Sequence, residues 1–243
     1  MTYVLVGAIG FLIGLAAHDL GSQSLYTATS LRPLVGTCPS CSTPRGWSRL
    51  VCLTCSRRIS REPVLAVVTT LTALGFTNTV GLTWELLAYL AFLLLSAALV
   101  VTDLEAFRIT DRLNLRGSLA IAVLLLGTAA IEASLSAFLR GLGGATAYFA
   151  GTSLLFILVR GRGFGAGDVK LAPQLGLFTA YLGWSVLGWA VFATALIGGV
   201  VALTLVLSGE AGRKTELPYG PPMVLGAWVA IVMVGVGAIP VPS

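Results

Sequence analysis

Two aspartates stand at positions where an ionisable side chain is costly. Asp103 follows directly on the apolar run 86–101, and Asp168 lies in the glycine-rich stretch GFGAGDVKL at 163–171. Charged residues make up 10% of the 243 positions and hydrophobic residues 56%, whereas a soluble domain has about a quarter of its residues charged. Because ionisable groups at membrane depth usually mark function, these two carboxyl groups are the first candidates for a site.

Two converging carboxyl groups could hydrolyse a peptide bond without a metal. Like charges at close range cannot both ionise, so one carboxylate acts as a base towards water while its protonated partner polarises a carbonyl. Gly163, Gly165 and Gly167 are expected to allow unusual backbone geometry and to leave room for a peptide. The helix start at Asp168 is expected to stabilise its ionised form. The alternative is a glycine-rich loop that ends in an ordinary N-cap aspartate.

The four cysteines form a second pattern, CPSCSTPRGWSRLVCLTC at 38–55. Their spacing, C-x2-C-x10-C-x2-C, presents four thiolates that can surround one tetrahedral zinc ion. Disulfides are the alternative, but a cytoplasmic loop lies in a reducing compartment, which argues against them. The pattern therefore predicts a structural zinc site that folds the loop and performs no chemistry. Its ligands would be Cys38, Cys41, Cys52 and Cys55.

The elements that must position these groups are apolar segments long enough to cross a bilayer as helices. About eight are present, at 3–20, 63–82, 84–102, 117–134, 141–159, 171–185, 186–207 and 223–240. Bilayer hydrocarbon cannot satisfy backbone polar groups, so such a chain folds as a helix bundle. The sequence predicts an all-α, polytopic membrane bundle forming a single domain over 1–243, with a zinc-ribbon-like loop at 32–62 after the first helix. Gly143–Gly144 and Gly198–Gly199 are expected to allow close helix packing.

The distribution of Lys and Arg predicts the orientation. With the N-terminus outside, every one of the fifteen except Arg140 falls on one side of the membrane, which is the cytoplasmic side by the positive-inside rule. The net charge of +5 then reflects topology and contact with anionic lipid headgroups, and does not indicate nucleic-acid binding. Asp103 and Asp168 would share the cytoplasmic face.

Several motifs, taken in order, resemble the prepilin peptidases, or type IV leader peptidases, which are membrane aspartyl proteases with a G-x-G-D motif. The resemblance covers most of the chain. The motifs are the paired cysteine knuckles with Glu62 shortly after, TDLEAFRITDRLN at 102–114, GFGAGDVKL at 163–171 and LPYGPPMVLGAW at 217–228.

The resemblance implies that Asp103 and Asp168 are the catalytic pair and that Asp111 supports the active-site loop. It implies removal of the short basic leader from pilin-like precursors at the bacterial inner membrane. It also implies methylation of the new N-terminus by many members, with S-adenosylmethionine. Lys170 could hold a carboxylate or a substrate carbonyl, or extend to lipid headgroups. Glu62 could belong to the site or simply begin a helix.

The chain departs from the family pattern at two places. The family's I-P-D reads ITD at 109–111, without the proline that stiffens the turn. The first helix reads GLAAHDLGSQS at 14–24, with His18 and Asp19 at unusual positions. His18 is either a structural or interfacial residue or a polar contact of the cleft.

The YGPP stretch at 219–222 is expected to form a wall of the substrate groove, because its prolines cannot continue a preceding helix.

Two other functional classes fit part of the sequence. A small ion-coupled transporter also carries intramembrane acids and glycine breaks, but its acids are expected near the midplane and not at one face. A non-enzymatic membrane assembly factor could bind a cytoplasmic partner through the zinc loop. That protein would tolerate Asn at Asp103 and Asp168 but would not tolerate loss of the cysteines.

Overall fold

The computed structural model describes residues 2–28, 62–106, 109–159, 165–208 and 219–240, and over these ranges the chain is all-α, as predicted. Within these ranges eight helices follow one another: α1 (Thr2–Ala28), α2 (Glu62–Val80), α3 (Trp84–Ala106), α4 (Asp111–Ile131), α5 (Leu135–Leu158), α6 (Ala166–Leu182), α7 (Trp184–Leu207) and α8 (Gly220–Gly235). The first turns of α4 are polar, so hydropathy placed its start at 117, six residues late.

Six of the eight helices, α1 to α5 and α7, are long and apolar enough to cross a membrane. The other two are shorter, with 17 residues in α6 and 16 in α8. The predicted polytopic helical bundle is therefore confirmed, and the protein is a multi-pass membrane protein. The cysteine loop lies outside the described residues.

Helix α3 is the centre of the bundle. It packs against α1, α2, α4 and α8, and 67% of its span is buried, compared with 17% of α7. An aromatic cluster joins α3 to α6, because Phe92 stacks on Phe178 at 4.4 Å between centroids and the Tyr89 hydroxyl donates to the Phe178 carbonyl over 2.9 Å. The two helices that carry Asp103 and Asp168 are thus fixed against each other.

Glycines bring α5 against α6 at backbone distance. A Cβ on Gly176 would collide with the Gly144 carbonyl, and one on Gly144 would collide with the Ala180 side chain. Gly198 likewise lies against the ring of Tyr219. The expectation for Gly199 was wrong, because nothing lies within 4 Å of the position of its Cβ.

The two ends of the bundle differ in their basic residues. Arg140 donates from Nε to the carbonyl of Ala180 over 2.9 Å, and therefore lies where α6 ends. Arg112, Arg116 and Lys170 lie in the first turns of α4 and α6 instead. Arg140 is thus separated from these three along the helices, as the charge distribution predicted, while the orientation in the membrane stays a prediction.

Candidate active site

Asp103 lies in the last turn of α3 and is 6% exposed. The start of α8 packs against it, and the backbone N–H of Gly220 interacts with its carboxyl group. Within the described part of the chain its Oδ2 nevertheless has no partner in hydrogen-bonding geometry. A buried carboxyl oxygen without a partner is costly, so it marks a place where water or substrate would bind.

Asp168 occupies the third position of α6 and is 4% exposed. Its Oδ2 accepts the N–H of Gly165 over 2.9 Å, which satisfies one donor of the helix start. This contact resembles the ordinary N-cap aspartate that was the alternative from the sequence. Here, however, the capping carboxyl group is also deeply buried. An ordinary surface cap would leave the carboxylate in water.

Glycine is needed here for space and not for an unusual backbone. Gly165 has a φ of −83°, which any residue can adopt, so the expectation of special geometry was wrong at this position. A Cβ at Gly165 would instead stand 3.3 Å from Asp168 Oδ2. At Gly167 it would stand 3.3 Å from the side chain of Ile109, just before α4. Both glycines let other groups approach the first turn of α6 closely.

Electrostatics couple the two aspartates. Asp168 precedes the apolar segment 171–185, and burial raises its pKa to about 7 against the opposing effect of the Gly165 N–H. The charge of Asp103 raises the pKa of Asp168 further, so the two carboxyl groups lie within electrostatic range of each other. We expected the helix start to favour the ionised form of Asp168, but desolvation outweighs it.

The predicted supporting residues Asp111 and Lys170 form an ion pair. Lys170 Nζ lies 2.6 Å from Asp111 Oδ1, and both side chains are largely exposed. The pair joins the first residue of α4 to the first turn of α6, close to Asp168 in sequence. Of the alternatives for Lys170, the structure shows contact with a carboxylate. Exposed ion pairs contribute roughly 0–1 kcal/mol to stability. The Asp111–Lys170 pair therefore matters more for the position of the start of α6 than for the stability of the fold.

A buried amide cluster that we did not predict lies between α4 and α6. Asn114 donates to the carbonyl of Lys170 over 2.8 Å, and Gln174 donates to Asn114 over 3.3 Å. Ser118 completes the cluster by donating to Gln174 over 3.3 Å. Amide side chains inside apolar segments indicate hydrogen bonds between neighbouring helices. The cluster holds the start of α6, and with it Asp168, against α4.

The remaining predicted positions have different outcomes. His18 is buried in α1, with its Nε2 3.7 Å from the carboxylate of Glu105, two residues beyond Asp103. Glu62 is the first residue of α2, which fits a helix start. Gly163 and the predicted zinc ligands Cys38, Cys41, Cys52 and Cys55 lie outside the described residues.

A cavity of about 370 Å³ lies beside the aspartates, between α5, α7 and the start of α8. Tyr219, directly before α8, and Met223 in α8 line it on one side, and Tyr148 and Gly151 line it from α5. The Tyr148 side chain interacts electrostatically with Tyr219 and with Asp168. The YGPP stretch, which we expected to form a groove wall, thus contributes Tyr219 to a cavity and Gly220 to the surroundings of Asp103.

Comparison with known families matches a part of the chain that contains both aspartates. Residues 87–203 match the type IV leader peptidase family, and the match includes both Asp103 and Asp168. No solved structure matches the chain significantly.

Curated relatives from several bacteria are similar to most of the chain. The prepilin leader peptidase/N-methyltransferase of Aeromonas hydrophila is 29% identical over 194 residues, which cover 76% of this chain and 63% of the relative. The protein with the same description from Bacillus subtilis is 29% identical over 180 residues, 74% of this chain and 69% of the relative. The one from Pseudomonas aeruginosa is 28% identical over 219 residues, which cover 88% of this chain and 68% of the relative.

These matches confirm the resemblance to the type IV leader peptidase family that the motifs indicated. The chain spans less than two thirds of the length of the Aeromonas hydrophila relative.

Proposed function

We propose that the protein is a membrane aspartyl endopeptidase that removes the short basic leader of type IV prepilins or pseudopilins at the cytoplasmic face of the membrane. One observation carries the proposal. Two buried carboxyl groups from different helices, Asp103 at the end of α3 and Asp168 at the start of α6, lie within electrostatic range of each other. The family match over both residues supports it.

In this proposal the pair shares one proton. Because burial raises the pKa of Asp168 to about 7, its protonated and ionised forms coexist near neutral pH. In the active form one carboxyl group of the pair carries the proton, and the other is ionised and acts as a base. The ionised carboxyl takes a proton from a water molecule, and the water oxygen attacks the scissile carbonyl carbon. The protonated carboxyl donates to the carbonyl oxygen. Collapse of the intermediate breaks the C–N bond, and the leaving amine takes up the proton that the carboxylate had accepted from water.

The glycines around the pair let other groups of the site pack closely. The neighbour is Asp168 Oδ2 at Gly165, the side chain of Ile109 at Gly167 and the carboxyl group of Asp103 at Gly220. A substrate carbonyl that entered the site would reach the unpartnered Oδ2 of Asp103. Because the bond would lie at the end of α3, a precursor whose apolar helix sits in the bilayer would present its leader junction at that depth.

Methylation of the new N-terminus is a second activity that the similarity to prepilin leader peptidase/N-methyltransferases favours. It would use S-adenosylmethionine as the methyl donor. The cavity between α5 and α7 is lined mainly by apolar side chains, which suits the charged donor poorly. Zinc is proposed only as a structural ion for the cysteine loop, and membrane lipids as the surroundings of the bundle.

The test is co-expression with a pilin-like precursor, comparing the wild-type protein with Asp103→Asn and Asp168→Asn. Leader removal is read by gel mobility, and the mass of the new N-terminus shows whether a methyl group is added. We expect cleavage by the wild type and by neither variant, with all three proteins present in the membrane at equal amounts. Conversion of Asp to Asn keeps the shape of the side chain and removes the proton exchange.

The same experiment separates the alternatives. An assembly factor would support pilus assembly with both Asn variants and lose function when the cysteines are replaced. A transporter would show no leader removal, and its acids would control flux instead. Cleavage at the wild-type rate by Asp168→Asn would contradict the aspartyl-protease proposal directly.

A further inference from the structure

The cavity between α5 and α7 has an apolar wall. Thr152 and Thr194 line it, but each hydroxyl donates to a carbonyl of its own helix, Tyr148 and Ala190 respectively, over 2.8 Å. Their hydrogens are therefore used within the helices. The remaining lining is aliphatic and aromatic apart from the hydroxyl groups of Tyr148, which pairs with Thr194, and Tyr219. A volume of about 370 Å³ falls within the range of roughly 300–1,000 Å³ that binding clefts occupy.

Two adjacent residues, Tyr219 and Gly220, connect the cavity wall to the aspartate pair. Tyr219 lines the cavity, and a Cβ on the next residue, Gly220, would stand 2.6 Å from Asp103 Oδ2. On the opposite wall, Tyr148 interacts electrostatically with Asp168. An occupant of the cavity would therefore be adjacent to a peptide held at the aspartates.

Helix α7, which forms one wall, is the least buried of the membrane-capable helices. Phe192 and Leu196 flank the cavity-lining part of α7 and are exposed by 56% and 57%. An apolar helix moving within the bilayer could approach along this surface without crossing a polar region.

We propose that this cavity receives apolar side chains from the membrane helix of the precursor, in the turns that directly follow the scissile bond. The inference rests on the proposed peptidase function. It names the part of the substrate that positions the bond at Asp103 and Asp168. An apolar helix seated in a groove is a common recognition mode, in which successive turns supply the anchoring side chains.

Gly151 offers a direct test, because it lines the cavity and nothing lies within 4 Å of the position of its Cβ. Gly151→Leu would fill the cavity without displacing the fold. Gly127→Leu on α4 is the matched control, since Gly127 has equally open surroundings and does not line the cavity. With purified protein and full-length precursor, Gly151→Leu should raise KM about tenfold or more with little change in kcat. Gly127→Leu should behave as the wild type.

A second pair of variants tests the end wall. A Cβ on Gly198 would stand 2.8 Å from Cε2 of Tyr219, so Gly198→Ala displaces a ring that lines the cavity. Gly199→Ala changes the next residue, which has no neighbour within 4 Å. We expect Gly198→Ala to raise KM for the precursor several-fold and Gly199→Ala to leave KM unchanged.

Cross-linking identifies the occupant. A precursor with benzoylphenylalanine in the first turns after the scissile bond is bound to the Asp168→Asn variant, and the cross-linked peptides are mapped. Cross-links to 147–155 of α5 support the inference. Cross-links confined to other helices, or unchanged KM in Gly151→Leu and Gly198→Ala, would overturn it. So would recovery at the cavity of only lipid or a second copy of the chain.

The two proposals fail in different ways. If Asp168→Asn cleaves as well as the wild type, the peptidase function itself is wrong. If Asp168→Asn is inactive while Gly151→Leu and Gly198→Ala have wild-type KM, the function stands and the docking site alone is wrong.

Discussion

Gly220 lies directly against Asp103, so that a Cβ added to this glycine would stand 2.6 Å from the Oδ2 of the carboxyl group. The contact joins the end of α3 to the start of α8. It also places Oδ2 where the described residues offer it no hydrogen-bond partner. The glycine is needed for close approach, because real Cβ atoms do not come so near another atom.

Gly220→Ala should therefore displace the Asp103 carboxyl group. A shift of about 1 Å at a catalytic group can cost roughly a hundredfold in rate, so we expect kcat for leader removal to fall between about tenfold and a hundredfold. The measurement is cleavage of the precursor by purified protein. Gly127→Ala is the control, because its surroundings are open. Equal rates for the two alanine variants would show that Asp103 needs no fixed position.

The burial of Asp168 predicts how stability depends on pH. Its folded pKa is raised to about 7, above the value of about 3.9 for an unfolded Asp. The folded state therefore holds more protons in this window, and the contribution of Asp168 is fully present below about pH 4 and is lost as the pH rises through about 7. Asp168→Asn removes a carboxylate that is costly to bury at high pH.

The expected result is a Tm of Asp168→Asn above that of the wild type at about pH 8, with the difference shrinking towards about pH 4. Thermal unfolding in detergent, followed at several pH values, measures it. A comparison at about pH 3 serves as the internal control, because there Asp168 is mostly neutral in both the folded and the unfolded state. A Tm difference that stays constant across the range would contradict a raised pKa of Asp168.

The ion pair between Asp111 and Lys170 should affect activity more than stability. Its atoms are 2.6 Å apart and exposed, so its loss costs about 0–1 kcal/mol at most. Because it joins α4 to the turn that carries Asp168, we expect Asp111→Asn to reduce cleavage several-fold without abolishing it. The charge-reversed double variant, Asp111→Lys with Lys170→Asp, should recover part of the rate.

A double-mutant cycle on kcat separates coupling from independent effects. Single variants whose losses simply add would show that the pair does not position α6.

The cysteine loop predicts metal binding that can be measured without activity. Replacing Cys38 and Cys52 by Ser leaves one thiolate in each knuckle, which is too few for a tetrahedral site. We expect the purified wild-type protein to contain about one zinc per chain by mass spectrometry and the double variant to contain almost none. An equal zinc content in the wild-type protein and the double variant would show that the metal binds elsewhere.

Cleavage gives a second readout of the same variant. Since the proposed zinc performs no chemistry, the Cys38/Cys52 double variant should retain measurable leader removal where Asp168→Asn has none. Complete loss of cleavage with normal membrane insertion would contradict a purely structural metal.

Prediction from sequence succeeded where a physical signal is local. Continuous apolar segments identified all eight helices, because each must satisfy its backbone polar groups internally. The ends were less accurate where polar residues begin a helix, as at Asp111. Asp103 and Asp168 stood out because a carboxyl group beside an apolar run is rare, whereas the Asn114–Gln174 cluster was missed because single amides carry a weaker signal.

The sequence by itself determined the helices, the family resemblance and the choice of Asp103 and Asp168 as candidate site residues. Each of these depends on residue types and their spacing along the chain. Only the tertiary structure decided what surrounds those aspartates. The burial that raises the pKa of Asp168, the approach of Gly220 to Asp103 and the cavity beside Tyr219 all depend on helices far apart in the chain. Desolvation and close contact are properties of three-dimensional packing, so linear spacing could not supply them.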